Sequence, residues 1–237
     1  MKIHILLHET FESPGAIVPW ANMRGHTISY TKPFAGDVIP LHADNFDFII
    51  VMGGPQSPST TETECPYFHA AKEIALLQDA IRKNKYVWGV CLGAQLIGEA
   101  LGGTYEHSPH KEIGVFDLHL TSAGKNDFCF AQFPHQFASA HWHGDMPGLT
   151  PDAEILAYSE GCPRQIIRYT PNVYGFQCHL EFTPQCVQEM VQNAEEELQA
   201  CKHLPYVQTP QHMLAQAYQP MNGLLFHFLD RFLKNAQ

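Results

Sequence analysis

Positive charge is scarce in this chain. Lys and Arg together number 14 against 24 Asp and Glu, a formal net charge of −10. A nucleic acid or an anionic membrane surface would repel such a protein, so neither is expected as a partner. No apolar run approaches the ~20 residues needed to span a bilayer. The stretch Met1-Lys2-Ile3-His4-Ile5-Leu6-Leu7-His8 is too short for a signal sequence and lacks a small-residue cleavage site. No Cys-x-x-Cys pair occurs, and the seven cysteines form an odd set. That excludes a disulfide framework and points to reduced thiols in the cytoplasm. Internal repeats and low-complexity tracts are also missing. Hydrophobic residues, at 45% of 237, are plentiful enough to rule out a disordered chain.

What is present reads as alternating strands and helices. Ile3 to Leu7, Ile28 to Tyr30 and Phe46 to Met52 are apolar runs, the last stopping at Gly53-Gly54-Pro55. Unbroken runs suit strands buried on both faces of a parallel sheet. From Phe68 to Arg82 the period becomes helical, with Ile74, Leu77 and Ile81 on one face. Tyr86 to Val90 is a strand again. The alternation implies right-handed βαβ units and a doubly wound α/β sheet, mostly parallel, with flanking helices. Beyond Gly102-Gly103, short runs at Ile113 to Leu120, Glu154 to Tyr158, Ile166 to Tyr169 and Val173 to Gln177 read as added antiparallel strands. Thr183-Pro184 opens a helix, with threonine as N-cap and proline in the first turn. Val187, Met190, Val191, Ala194 and Leu198 continue one face of it. Residues around Pro205 and Pro210 read as a linker. Met213 to Phe232 reads as a last helix, with Asn222-Gly223 as a candidate interruption. The expected division is a main domain over 1–200 and a mainly helical extension over 201–237, packed on it or serving a homodimer contact.

The chemistry concentrates in Gly89-Val90-Cys91-Leu92-Gly93-Ala94-Gln95, between an expected strand and an expected helix. This is the setting of a nucleophile turn: small residues let the strand bend sharply, and the central side chain stands at the sheet edge. A helix N-terminus favours a thiolate there, and the Leu92 amide can face an oxyanion. Downstream, His179 and Glu181 are two apart, so an extended chain projects them to the same side. Glu181 can then orient His179 while His179 serves the Cys91 thiol. Gly53-Gly54, ending the strongest strand, is a candidate partner in the oxyanion site. Each piece alone also has a plain structural reading: a packed cysteine, a surface His-x-Glu pair, a tight turn.

In order along residues 45 to 186, the chain carries Met52-Gly53-Gly54-Pro55, Gly89-Val90-Cys91-Leu92-Gly93-Ala94-Gln95-Leu96, Lys111-Glu112-Ile113-Gly114, Trp142-His143-Gly144-Asp145 and Gly175-Phe176-Gln177-Cys178-His179-Leu180-Glu181. With these five motifs it resembles the class I glutamine amidotransferases, and among them stand-alone proteins similar to the glutaminase part of GMP synthase. The resemblance implies a flavodoxin-like fold. It makes Cys91 the nucleophile, His179 the acid and base, and Glu181 the residue that orients the histidine. The backbones of Gly54 and Leu92 would form the oxyanion hole. Gly53, Gln95 and a loop holding His141, Trp142 and His143 would bind the substrate. The family commonly has Phe and Pro around the histidine, where this chain has Cys178 and Leu180.

No cofactor is implied. Histidines at 107, 110, 135, 141 and 143 fit no strong zinc spacing, so no metal is expected. No nucleotide signature follows the matched region, so ammonia released from glutamine would pass to a separate synthase subunit. Two other readings stay open. One is a hydrolase of γ-glutamyl peptides acting alone. The other is a protein with a reactive thiol and no turnover.

Overall fold

The computed structural model describes residues 1–234. Nine strands form one sheet in the order β2-β1-β3-β4-β9-β8-β7-β5-β6. Its first half is parallel: β1 (Lys2–Leu6), β2 (Thr27–Thr31), β3 (Phe48–Val51), β4 (Tyr86–Val90) and β9 (Val173–Phe176). The other half is antiparallel, built from β8 (Ile166–Thr170), β7 (Glu154–Tyr158), β5 (Glu106–Leu120) and β6 (Gln136–Met146). The apolar runs at 48–51 and 86–90 are buried at nearly every position because helices cover both faces there. Helices α2 (Ala70–Arg82) and α3 (Leu92–Ala100) bury Leu76, Leu77, Leu96 and Ile97 against Ile49, Val51 and Val87. On the other face, α1 (Ile17–Met23) and the C-terminal α8 (Gln219–Phe232) close over Ile3, Ile50, Trp88 and Tyr174.

The C-terminal residues complete the core of their own chain. Phe228 lies 4.6 Å from the Phe176 ring and 5.4 Å from Tyr174, and Phe232 lies 5.6 Å from Phe48. These rings meet mostly tilted or edge-on, the arrangements aromatic quadrupoles favour.

Four expectations change. The segment holding His141, Trp142 and His143 is a strand, β6, paired along β5, rather than a loop. The helix opened at Thr183 does not run through Leu198. It divides at Ala194 (φ −118°) into α5 (Pro184–Asn193) and α6 (Glu195–Cys201). Asn193 turns its side-chain amide back to the Glu189 carbonyl at 2.9 Å. Glu195, Glu196 and Glu197 then occupy a new first turn, where the helix dipole favours acids. The last helix also divides, into α7 (Pro210–Leu214) and α8. Pro220 falls in the first turn of α8, because its ring would clash with a preceding helical turn. Asn222-Gly223 interrupts nothing; both lie inside α8. A short helix, α4 (Ser122–Asn126), and the strand β6 escaped the periodicity reading altogether.

Candidate active site

Strand β4 ends where the chain turns abruptly into α3. Cys91 is the hinge, at φ +53° and ψ −111°, a conformation a residue with a Cβ rarely adopts. The turn is held by a 2.7 Å bond from the Cys91 amide to the Phe176 carbonyl of β9. Its tightness explains the flanking glycines. A Cβ on Gly93 would lie 2.0 Å from the Val51 carbonyl oxygen, and one on Gly89 would lie 2.3 Å from the Gly93 carbonyl. Without side chains at both positions, α3 can press onto β3 and β4 and lift Cys91 to the C-terminal edge of the sheet. The Leu92 and Gly93 amides open the helix and have no carbonyl behind them in it.

His179 lies just past β9. Its backbone pairs with Ala140 of β6 in both directions, at 2.8 and 3.1 Å. Its Nδ1 is 2.6 Å from Glu181 Oε1, and its ring stacks on Phe182 at 4.2 Å. His179 and Glu181 therefore share a side, as their spacing required. Burial works against the imidazolium, but the carboxylate of Glu181 and the sulfur of Cys91 outweigh it and raise His179 to about 10. Nε2 makes no hydrogen bond of good geometry. Its coupling to the thiol is one of proximity. The Cβ that Gly53 lacks would sit 3.3 Å from Cys91 Cβ and 3.6 Å from His179 Cε1, so Gly53 closes the space between them.

A cavity of about 920 Å³ opens over Cys91. Gly54, Gln95, Lys111, Trp142 and His143 border it, together with Glu12 and the α5–α6 junction at Asn193–Glu197. Trp142 points into this wall, with its indole N–H donating to Glu197 Oε2 at 2.9 Å and its carbonyl 3.7 Å from Cys91 Sγ. Alternation along β6 turns the His141 and His143 side chains to the side opposite Trp142, although His143 still borders the cavity. Both side chains are buried and turn toward Glu112. His141 does not border the cavity. Gln95 donates to Gln177 Oε1 at 3.1 Å, and Gln177 donates in turn to Cys91 Sγ at 3.3 Å. Cys178, on the other side of its strand, is fully buried in the core, where burial pushes its thiol pKa up.

Four contributors were not visible in the sequence. Glu12, in the loop after β1, is half-buried above the site, and burial raises its carboxyl to about 7 against the pull of His179 and His8. His8 is buried, with Nδ1 2.9 Å from the Gly53 carbonyl and Nε2 2.9 Å from buried Glu73. Burial opposes its charge, but Glu73 prevails and His8 rises to about 9. Gln177 lies inside one of the five motifs, yet its spacing suggested no task for it. Asn222 donates from α8 to the carbonyls of Leu180 (2.8 Å) and Phe182 (2.9 Å), on either side of Glu181. His8 and Glu12 lie close to the start of the chain, where only their place after an apolar run hinted at them.

Residues 22–196 match the family model described as glutamine amidotransferase class-I. The glutamine amidotransferase-like protein YfeJ of Salmonella typhimurium is 48% identical over 97% of this chain and 96% of its own. The crystal structure of SMU.1228c superposes with a TM-score of 0.96 at 50% identity, covering 98% of this chain and all of the other. One subunit of the glutamine-hydrolysing GMP synthase of Methanococcus maripaludis is 31% identical over 56% of this chain and 63% of its own.

Proposed function

The chain belongs to the class I glutamine amidotransferases, and from that premise we propose that it cleaves the γ-amide bond of glutamine through a thioester on Cys91. The observation that carries this is Cys91 on its strained turn, facing an open cavity, with the buried His179–Glu181 pair behind it at 2.6 Å. Cys91 Sγ attacks the amide carbon, with the thiol proton held on His179. The amides of Gly54 and Leu92 receive the oxyanion that forms. The C–N bond then breaks as His179 gives its proton to the leaving nitrogen, and ammonia departs. Water attacks the thioester with His179 taking its proton, the C–S bond breaks to leave the Cys91 sulfur beside the protonated His179, and glutamate leaves. Glu181 orients the ring and stabilises its charge, as the raised His179 value supports. Positioned acid–base catalysis of this kind supplies ~10²–10⁴-fold. Gln95, Gly53 and the wall at Trp142 hold the glutamyl portion. The likeness to a GMP synthase subunit supports transfer of the ammonia to a separate synthase.

One observation favours a second substrate for the same chemistry. A cavity of about 920 Å³ is at the upper end of those that enclose drug-sized ligands and far larger than one amino acid needs. It has room for a γ-glutamyl peptide whose leaving amine extends toward α6. The purified protein is incubated with glutamine and with a panel of γ-glutamyl peptides, with Cys91→Ala as control. Glutamate release and a γ-glutamyl adduct on Cys91 in intact mass spectra are expected, and Cys91→Ala should give neither. Release that persists in Cys91→Ala would refute the thioester. Release from the peptides alone would select the second substrate.

A further inference from the structure

Behind Trp142, three side chains meet. Glu112 of β5 and His141 and His143 of β6 are all buried, and their ligand atoms lie within 4.8 Å of one another. Glu112 Oε2 is 3.2 Å from His143 Nε2 and 3.7 Å from His141 Nδ1. The hydrogens at these atoms follow from their other neighbours. His143 Nδ1 lies 3.1 Å from the Asp145 carbonyl oxygen. A carbonyl only accepts, so Nδ1 carries a proton there. His143 Nε2 faces a carboxylate oxygen at 3.2 Å. His141 makes no hydrogen bond at either ring nitrogen, and Oε1 of adjacent Gln165 has none. Buried polar atoms left without a partner cost free energy, and a bound cation is a standard reason for their survival.

We propose that Glu112, His141 and His143 bind one Zn²⁺ ion in a closed, structural site, with the Gln165 amide oxygen as fourth ligand. Two imidazoles, a carboxylate and an amide oxygen suit zinc, and tetrahedral bonds of ~2.0–2.2 Å separate neighbouring ligand atoms by roughly 3.3 Å. The two separations to Glu112 bracket that value; the two imidazoles close in by a modest side-chain shift. Gln165 now turns its Nε2 into the site, 2.6 Å from Glu112 Oε2 and 3.2 Å from His143 Nε2. Turning the amide over places its unpartnered Oε1 there instead. Outer contacts are already in place: the Asp145 carbonyl on His143, and Ser159 Oγ at 2.8 and 2.9 Å from the two Glu112 oxygens. Burial leaves no open coordination position, which argues against the two-histidine, one-carboxylate iron sites that bind oxygen. The ion would brace the wall of the cavity, because Trp142 stands between the two histidines and Lys111 precedes Glu112. It departs from the sequence expectation of no metal. The third ligand comes from a neighbouring strand, where Glu112 pairs with His143 in register, and no linear spacing encodes that.

The test uses the full chain, stripped with a chelator and titrated with Zn²⁺ or Co²⁺. One equivalent per chain should bind, and zinc at a hundredfold over Kd should raise Tm by roughly 5–10 °C. The cobalt form should show d–d bands of tetrahedral intensity without thiolate charge-transfer bands. His141→Leu keeps the position apolar and filled, and it should lose both the equivalent and the rise in Tm. Three results would overturn the site. One is no stoichiometric uptake. Another is uptake unchanged in His141→Leu. The third is thiolate bands in the cobalt spectrum, which put the ion on cysteines. The cobalt spectrum is read on the unmutated chain, so the test stands even if His141→Leu fails to fold.

Discussion

Asn222 offers the sharpest test of how the C-terminal helix serves the site. Its side-chain amide donates both protons, at 2.8 Å to Leu180 O and 2.9 Å to Phe182 O, so the backbone on both sides of Glu181 hangs on one residue of α8. Each such bond contributes ~0.5–1.5 kcal/mol net, which gives about 1–3 kcal/mol for two. Asn222 is only half-buried, so water replaces part of the loss in Asn222→Ala, and about 1–2 kcal/mol is expected. At roughly 2–4 °C per kcal/mol for a chain of this size, Tm should fall by about 2–8 °C. Released backbone lets Glu181 and His179 drift from the thiol, and turnover should fall about tenfold, since misplacement by 1 Å costs up to ~10²-fold. Asn222→Asp supplies an internal check. It is nearly isosteric, but it sets a carboxylate against two carbonyl oxygens and cannot donate when ionised. It should therefore be worse than Asn222→Ala in both Tm and turnover. Thermal unfolding and glutamate release measure the two effects. Equal stability of Asn222→Ala and the parent within ~0.5 kcal/mol, or Asn222→Asp matching the parent, would refute the reasoning.

Two further outcomes follow from buried titrating groups. The His8 value is raised in the fold from 6.5 to about 9, so its contribution is complete below pH 6.5 and is lost as pH rises through 9. Glu73→Gln removes the carboxylate that holds the charge. Chemical denaturation across pH 6 to 10 should show a smaller loss of stability in that variant than in the parent, and parallel curves would rule out the pair as a cause. The Glu12 carboxyl, raised from 4.5 to about 7, carries a burial penalty on its charge that is absent below pH 4.5 and grows as pH rises through 7. Glu12 accepts no hydrogen bond among the described residues, and it stands on the cavity wall near Cys91. An ammonium on the substrate would stabilise it as a carboxylate. Glu12→Gln should raise KM about tenfold with little change in kcat, and should flatten the stability curve between pH 4.5 and 7; an unchanged KM would remove Glu12 from substrate binding.

The parallel half of the sheet was legible because its cause is local. Phe48–Val51 and Tyr86–Val90 are unbroken apolar runs, and only strands covered on both sides need them. The antiparallel half was harder. Strand β6 reads Gln-Phe-Ala-Ser-Ala-His-Trp-His-Gly-Asp-Met, with two buried histidines in place of the aliphatic residues that signal a strand. Those histidines are buried because Glu112 on the paired strand receives them, and pairing at a distance leaves no periodicity. The divided helices were misread for a related reason. Apolar spacing at Val187, Met190 and Leu198 keeps the helical period across Ala194, yet Asn193 and three glutamates set a terminus that only capping chemistry reveals.

The candidate site divides along the same line. Cys91, His179 and Glu181, which the structure brings together, were marked in the sequence by fixed neighbours: glycines around a sharp turn, and a two-residue step along an extended strand. What holds them in place comes from elsewhere in the chain. His8 grips the Gly53 carbonyl across 45 residues, Gln177 reaches Cys91 across 86, and Asn222 holds the Leu180 carbonyl across 42. None of these has a spacing that could mark it, because such a hydrogen bond asks only for a donor in the right place. A motif therefore marks the candidate reacting groups, whereas the donors that fix their geometry are chosen by the fold. Substitutions at those donors should thus alter kcat while leaving every recognisable motif intact, and Asn222, in the segment expected only to be an extension, is the one that places this consequence farthest from the motifs.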